Sequence, residues 1–123
     1  MMQSVLVDTS VWSEHFRAAQ PLLENLLNDG LVASHELVVE ELALSMAAKH
    51  LFMLEDIVDM GLLPTASLEE YLNFVSSFEI AGRRIGCVDV HLLASCRLAH
   101  AGLWTLDKHL AAAASECGVS ILN

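Results

Sequence analysis

The sequence predicts an α/β fold: a single domain with a mostly parallel central sheet of about four to five short strands, flanked by helices on both faces. Three observations predict it. Short apolar runs at residues 4–7 and 103–105 each lie just before an aspartate, Asp8 and Asp107, as strands buried on both faces do. Segments of helical spacing separate the runs, the alternation that right-handed βαβ crossovers produce. The chain has 123 residues, a length that suits one domain over residues 1–123 with one core.

Each element has a local signal. Residues 4–7 form the first strand, stopped by Asp8, and Asp8, Thr9 and Ser10 offer caps for a helix from about Val11 to Ala19. Pro21 suits the first turn of a short helix over residues 22–28, which Gly30 closes. Residues 31–34 make a weaker second strand. From Glu36 onward Val38, Leu42 and Met46 recur every four residues, with Val39 and Ala43 widening the stripe, so a helix follows. A second helical segment, residues 51–60, stops at Gly61. Residues 62–64 suit an edge strand because Pro64 removes a ladder donor.

Ser67 and Glu70 have capping-box spacing, and the helix they open is expected to bury Leu68, Leu72, Val75 and Phe78. Gly82 and Gly86 bracket a loop holding Arg83 and Arg84. A long helix over residues 88–101 ends at Gly102. The strand at residues 103–105 follows, then a helix over residues 108–116 stopping at Gly118, and a last strand at residues 119–122. There is no internal repeat, low-complexity run or linker.

Composition narrows the function classes. Apolar residues make up 54% and charged ones 18%, which excludes a disordered chain. The longest stretches free of Asp, Glu, Lys and Arg, residues 60–68 and 98–106, have nine residues each, against the ~20 a membrane-spanning helix needs. The first residues lack the basic, apolar, small-residue order of a secretory signal. A soluble cytoplasmic protein, without membrane contact, is expected.

Cys87, Cys96 and Cys117 form no C-x-x-C pair and read as reduced thiols. No base is identifiable beside any of them for nucleophilic chemistry. Cys96 and His100 are four residues apart, but no second pair has ligand spacing, so zinc is not expected. His91, His100 and His109 read as ordinary helix or cleft-edge residues, and Trp12 as a core residue.

The net charge is −10, from 16 acids against 6 Lys and Arg. Residues 1–61 hold ten acids and two Lys/Arg, while residues 62–123 hold six and four. Such a chain repels phosphate backbones in general, which excludes indiscriminate nucleic-acid binding. Some of the acids nonetheless fall where a site belongs. Open α/β sheets place ligands beyond the carboxyl ends of their strands, and Asp8 and Asp107 sit there. Asp89 opens a helix, where a carboxylate suits the dipole. One of Glu40 and Glu41 interrupts an otherwise apolar helical sequence. Carboxylates that converge need a cation, because bare like charges ~4 Å apart repel strongly in a low-dielectric cleft. All-oxygen ligands favour Mg²⁺ or Mn²⁺, ions suited to phosphodiester hydrolysis. From spacing alone, each acid also reads as a helix cap or a solvated residue.

Four segments in order carry a resemblance: Val5-Leu-Val-Asp8-Thr-Ser-Val-Trp12, Glu41-Leu-Ala-Leu44, Gly86-Cys-Val-Asp89-Val-His-Leu-Leu93 and Leu103-Trp-Thr-Leu-Asp107-Lys-His-Leu110. Together they make the chain resemble the PIN-domain family, and within it the toxin ribonucleases of bacterial VapBC toxin–antitoxin pairs. The resemblance spans essentially the whole chain. It implies a PIN fold and an endoribonuclease using Mg²⁺ or Mn²⁺, held by Asp8, Glu41, Asp89 and Asp107 at the carboxyl edge of the sheet. Metal-activated water would attack an RNA phosphodiester in line. Glu41 is preferred to Glu40 because it directly precedes Leu42, as the family's glutamate does. Ser10 and Thr105 match supporting hydroxyl positions. Lys108 and His109 stand where some members carry a further acid, and Cys87 where an aromatic residue is frequent.

Arg83, Arg84 and Lys108 are candidate contacts to RNA phosphate. By resemblance, the partners are a VapB-type antitoxin and a second copy in a homodimer, with the apolar segment 51–63 as an interface. Two other readings remain. A receiver or phosphatase-like α/β domain is the first, but Asp8-Thr9-Ser10 lacks the second aspartate of a D-x-D motif, and no paired acids precede a central phosphorylatable aspartate. A catalytically silent PIN-fold binding module would have no use for four intact acids.

Overall fold

The computed structural model describes residues 3–122. At its centre is β1 (Val5–Val7), three consecutive buried residues with parallel neighbours on both sides. β2 (Val32–Ala33) pairs Val5 with Val32 and Leu6 with Ala33. On the other side β3 (Gly102–Trp104) pairs with β1 from Val5–Gly102 to Val7–Trp104. The order β2-β1-β3 puts the carboxyl ends of all three strands on one edge.

The segments expected as strands at 62–64 and 119–122 shrink to single parallel bridges, Ser34–Leu62 and Leu103–Ile121. Each is held by two hydrogen bonds. The Ser34 and Leu63 N–H groups donate at 2.9 and 2.8 Å on one side, and those of Leu103 and Leu122 at 2.8 and 2.9 Å on the other. Pro64 has no N–H to carry the first of these further.

Between β1 and β2 lie α1 (Thr9–Arg17) and α2 (Pro21–Asn28), the latter with Pro in its first turn. After β2 come α3 (Glu36–Ser45), a 3₁₀ turn at Ala48–His50, α4 (Met53–Asp59), α5 (Leu68–Ser77) and α6 (Cys87–Ala99). α7 (Lys108–Glu116) follows β3. α6 and α7 pack on β3, α3 packs on α1 and α4, and α5 packs on α6. One buried cluster joins these elements, from Val5 and Trp12 through Val38, Leu42, Leu92 and Leu93 to Leu110 and Val119. No helix among the described residues is long and apolar enough to cross a membrane.

Two local expectations are corrected. The capping box forms at Ser67 and Glu70, but α5 does not bury the side assigned to it. Leu68 and Leu72 are 74% and 55% exposed, whereas Phe74 is buried and Tyr71, Val75 and Phe78 are half-buried. The inward stripe is therefore 71-74-75-78; both stripes suit a helical period, and packing against α6 selects this one. Nor does Gly102 end α6. His100 takes the left-handed position there, at φ 54°, and Gly102 begins β3. A Cβ on Gly102 would lie 3.3 Å from the Gln3 side chain and 3.4 Å from the Ser120 carbonyl, so this glycine answers to sheet packing.

His35 joins two of the helices. Its ring is fully buried, and its Nδ1 accepts the Leu37 N–H at 3.0 Å as the N-cap of α3. With Nδ1 an acceptor, the neutral ring carries its proton on Nε2 and donates to Ser95 Oγ of α6 at 2.9 Å. Burial holds this imidazole below its ordinary pKa; Glu36 opposes the shift and His91 adds to it.

Candidate active site

Asp8 follows the last residue of the central strand, and its carboxylate is buried at 7% exposure. Three donors hold it. Oδ1 accepts the Thr9 N–H at 2.8 Å, capping α1, and Oδ2 accepts the hydroxyls of Ser10 at 2.8 Å and Thr105 at 2.7 Å. The direction of both hydroxyls is forced. Ser10 Oγ receives the Leu106 N–H and Thr105 Oγ1 the Asp107 N–H, both at 3.0 Å. Backbone N–H groups only donate, so each hydroxyl keeps its own proton for Asp8. This lattice ties the loop after β3 to the start of α1, across 97 positions of sequence between Asp8 and Thr105.

The other acids arrive from three helices. Asp107 caps α7, with Oδ1 accepting from the His109 N–H at 2.8 Å and from Leu110 at 3.3 Å. Glu41 projects from α3, where the Thr9 hydroxyl donates to its Oε1 at 2.7 Å. Among the described residues no such contact fixes Glu40. Asp89 lies in the first turn of α6, whose N-cap residue, Gly86, makes no side-chain cap bond.

Electrostatics show that these four acids share one field. The Asp89 carboxyl is pushed up to about 6, first by burial and then by the negative charges of Asp8, Asp107 and Glu41. Of the neighbouring glutamates, Glu41 is the one Asp89 feels. The ion pairs among the described residues, Arg17–Glu14 and Arg83–Glu116, leave the four acids without a cation. As they stand, no three His, Cys, Asp or Glu side chains among the described residues are grouped closely enough to hold a metal ion. Asp8, Glu41 and Asp107 point at local donors instead. In donor chemistry the set nevertheless fits a hard divalent ion: all ligating atoms are oxygen, and the charge is uncompensated.

The positive residues separate. Arg83 is paired with Glu116 of α7, while Arg84 has no such pair among the described residues; both line a cavity beside Asp89 and Asp107. Lys108 is exposed at the start of α7 and is not among the residues lining that cavity. His109 is, though nothing in its sequence position set it above His91 or His100. Thr9 was legible only as a cap, because contact with Glu41 depends on how α3 packs against α1. Cys96 is buried, its thiol pushed up to about 12 by burial, and Sγ contacts the Gly102 carbonyl at 3.7 Å.

No family model matches the chain. Ribonuclease VapC32 of Mycobacterium tuberculosis, found in two strains, is 42% identical over 118 residues, covering 95% of each chain. The chain belongs to the VapC family of PIN-domain ribonucleases. The fold of this VapC-family chain also resembles solved structures. One is FitAB bound to an IR36 DNA fragment, with a TM-score of 0.71 and 19% identity, covering 97% of this chain and 94% of the other. A second is FitAcB from Neisseria gonorrhoeae, with a TM-score of 0.70 and 22% identity, covering 97% and 96%. The resemblance read from the four sequence segments and the whole-chain identity thus agree on the VapC family.

Proposed function

We propose that this VapC-family chain is a cytoplasmic endoribonuclease, the toxin of a toxin–antitoxin pair, whose Asp8, Glu41, Asp89 and Asp107 hold Mg²⁺ or Mn²⁺ during RNA phosphodiester hydrolysis. What supports this reading is the whole-chain identity to Ribonuclease VapC32 together with Asp8, held by three donors at the end of the central strand; burial and then the charges of Asp8, Asp107 and Glu41 raise the Asp89 carboxyl beside it. Four carboxylates in one field with no protein cation make a site that favours a divalent ion. Such an ion supplies, when bound, neutralisation of phosphate oxygens and a lower pKa for water beside them.

The protein's own residues do the positioning. Ser10, Thr105 and the Thr9 N–H hold the Asp8 carboxylate fixed at the strand end. The Thr9 hydroxyl steadies Glu41, and the Asp107 cap ties its carboxylate to the frame of α7. Arg83, Arg84 and Lys108 are read as cations for flanking RNA phosphates. Residues 1–123 are read as one domain, supported by the single buried cluster that spans from Val5 to Val119.

Calorimetry tests the ion directly. Mn²⁺ is expected to bind wild type at pH 7.5, bind more weakly at pH 5 as Asp89 takes up a proton, and bind Asp8→Asn more weakly by at least tenfold. RNA cleavage unaffected by EDTA would overturn the metal-dependent reading.

The antitoxin and homodimer readings rest on apolar surface. Phe52 is 68% exposed and Leu44 90%, with Leu51, Val58, Met60 and Leu62 also exposed in or beside the segment 51–63. A double substitution, Leu44→Asp with Phe52→Asp, is expected to leave the thermal midpoint of the isolated chain within about 3 °C, since neither side chain is in the core. It is expected to weaken self-association or antitoxin capture, measured by light scattering and co-purification. No change in either would assign this surface no partner.

A further inference from the structure

A cavity of about 400 Å³ adjoins the acids, where the loop after α5 meets the start of α6 and one side of α7. Its volume lies within the ~300–1,000 Å³ of ligand sites. Asp89 and Asp107 line it, so it is continuous with the proposed reaction centre. Its apolar lining includes the buried Ile80, Leu110 and Cys117 and the half-buried Ile85. Its exposed polar side chains include Arg84 and His109. Arg83 also lines it but is engaged with Glu116, which braces the loop against α7 and leaves Arg84 the less committed of the two guanidinium groups.

An apolar pocket edged by a guanidinium and an imidazole suits a flat heterocycle attached to a phosphate. Single-stranded RNA is read in this way, with unstacked bases lying on apolar or aromatic side chains and on Arg planes. We infer that the cavity takes the base of the nucleotide next to the scissile phosphodiester, with Arg84 on its phosphate and His109 against its ring, so that this pocket selects where RNA is cut. The inference rests on the ribonuclease reading above and adds a specificity-determining site to it. A peptide segment of an antitoxin is the competing occupant. The mixed lining favours the base, because the Arg84 guanidinium lies beside a site that already receives a polyanion.

The test is a pool of single-stranded RNA with randomised sequence, digested with Mn²⁺ present, in which the cut positions are mapped. Wild type is expected to enrich one base or base class several-fold at a position flanking the cut. Ala112→Trp places an indole at the cavity from an exposed position of α7, and His109→Ala removes the ring without burdening the core. Both are expected to flatten the preference and to raise KM about tenfold, the value of one base contact, with kcat within twofold. Arg84→Ala is expected to raise KM while keeping the preference. Unchanged Mn²⁺ affinity and thermal midpoint show that the variants are folded.

An unaltered base preference in Ala112→Trp and His109→Ala overturns the inference. So does a wild type that cuts with no flanking preference. Variants that cut as wild type does but lose antitoxin binding assign the cavity to a peptide, which also overturns it. A wild type that cuts no RNA overturns the ribonuclease reading itself, a result distinct from all of these.

Discussion

Asp89→Asn is expected to abolish RNA cleavage and, at the same time, to make the metal-free protein more stable above pH 6. Both effects have one cause. In the folded chain the Asp89 carboxyl is raised from 3.8 to about 6, by burial and by Asp8, Asp107 and Glu41. Below pH ~4 the group is protonated in folded and unfolded states alike and costs nothing. As pH rises from 4 to 6 the unfolded chain loses this proton first, so stability falls; above 6 the folded state bears the full repulsion. Asparagine mimics the neutral acid and removes that repulsion. The expected gain in thermal midpoint is on the order of 5 °C at pH 8, vanishing at pH 4. Cleavage is expected to fall by at least ~100-fold, as loss of a metal-holding carboxylate requires. A variant that loses both activity and stability at pH 8 would make Asp89 a structural acid, and one that keeps activity would remove it from the site.

The second large effect belongs to His35. His35→Leu leaves the Leu37 N–H without its cap and Ser95 Oγ without its donor, both in a buried setting. The expected loss is about 2–4 kcal/mol, from an uncapped helix, a buried hydroxyl deprived of its partner and altered packing. The imidazole also has a pH signature opposite in sign to that of Asp89. Its folded pKa lies below the ordinary 6.5 because burial disfavours the cation. Its stabilisation is whole above pH 6.5, where the ring is neutral in both states. As pH falls below 6.5 the unfolded chain binds a proton that the folded chain resists, and stability drops. Because the two groups oppose each other between pH 4 and 6.5, the clean measurement uses the Asp89→Asn background. Urea unfolding there is expected to weaken from pH 7.5 to 5.5, and to lose that component when His35→Leu is added. A slope that survives the substitution would assign it to another group.

Sequence reasoning reached the fold because its main signals are local. An apolar run ending at Asp8, a capping box at Ser67 and Glu70, and Pro21 in a first helical turn each act within a few residues. It failed where the outcome depended on packing. Leu68 and Leu72 have the right apolar character and spacing, but the face of α5 that packs on α6 carries Phe74 inward instead. Residues 119–122 look like a strand, yet the sheet accepts them through only one bridge.

The site divides in the same way. The four acids were nameable by position and by family resemblance. The hydrogen-bond directions around Asp8, the reach of Thr9 to Glu41 and the placing of His109 at the cavity all require contacts between distant segments. The preference for Glu41 over Glu40 comes from the resemblance; among the described residues Glu41 is the one of the two that meets Thr9 and acts on Asp89.

The hydrogen bond from Thr105 to Asp8 links residues 97 positions apart, and β1 depends on β3 for one of its two partners. A chain growing from its N-terminus on a ribosome therefore carries Asp8 long before it carries the hydroxyl that fixes that carboxylate. Synthesis at ~5–20 residues per second leaves an interval of several seconds between the two. Throughout that interval Asp8 lacks the Thr105 hydroxyl and β1 lacks its β3 neighbour. The lattice around Asp8 therefore closes only after nearly the whole chain has been made.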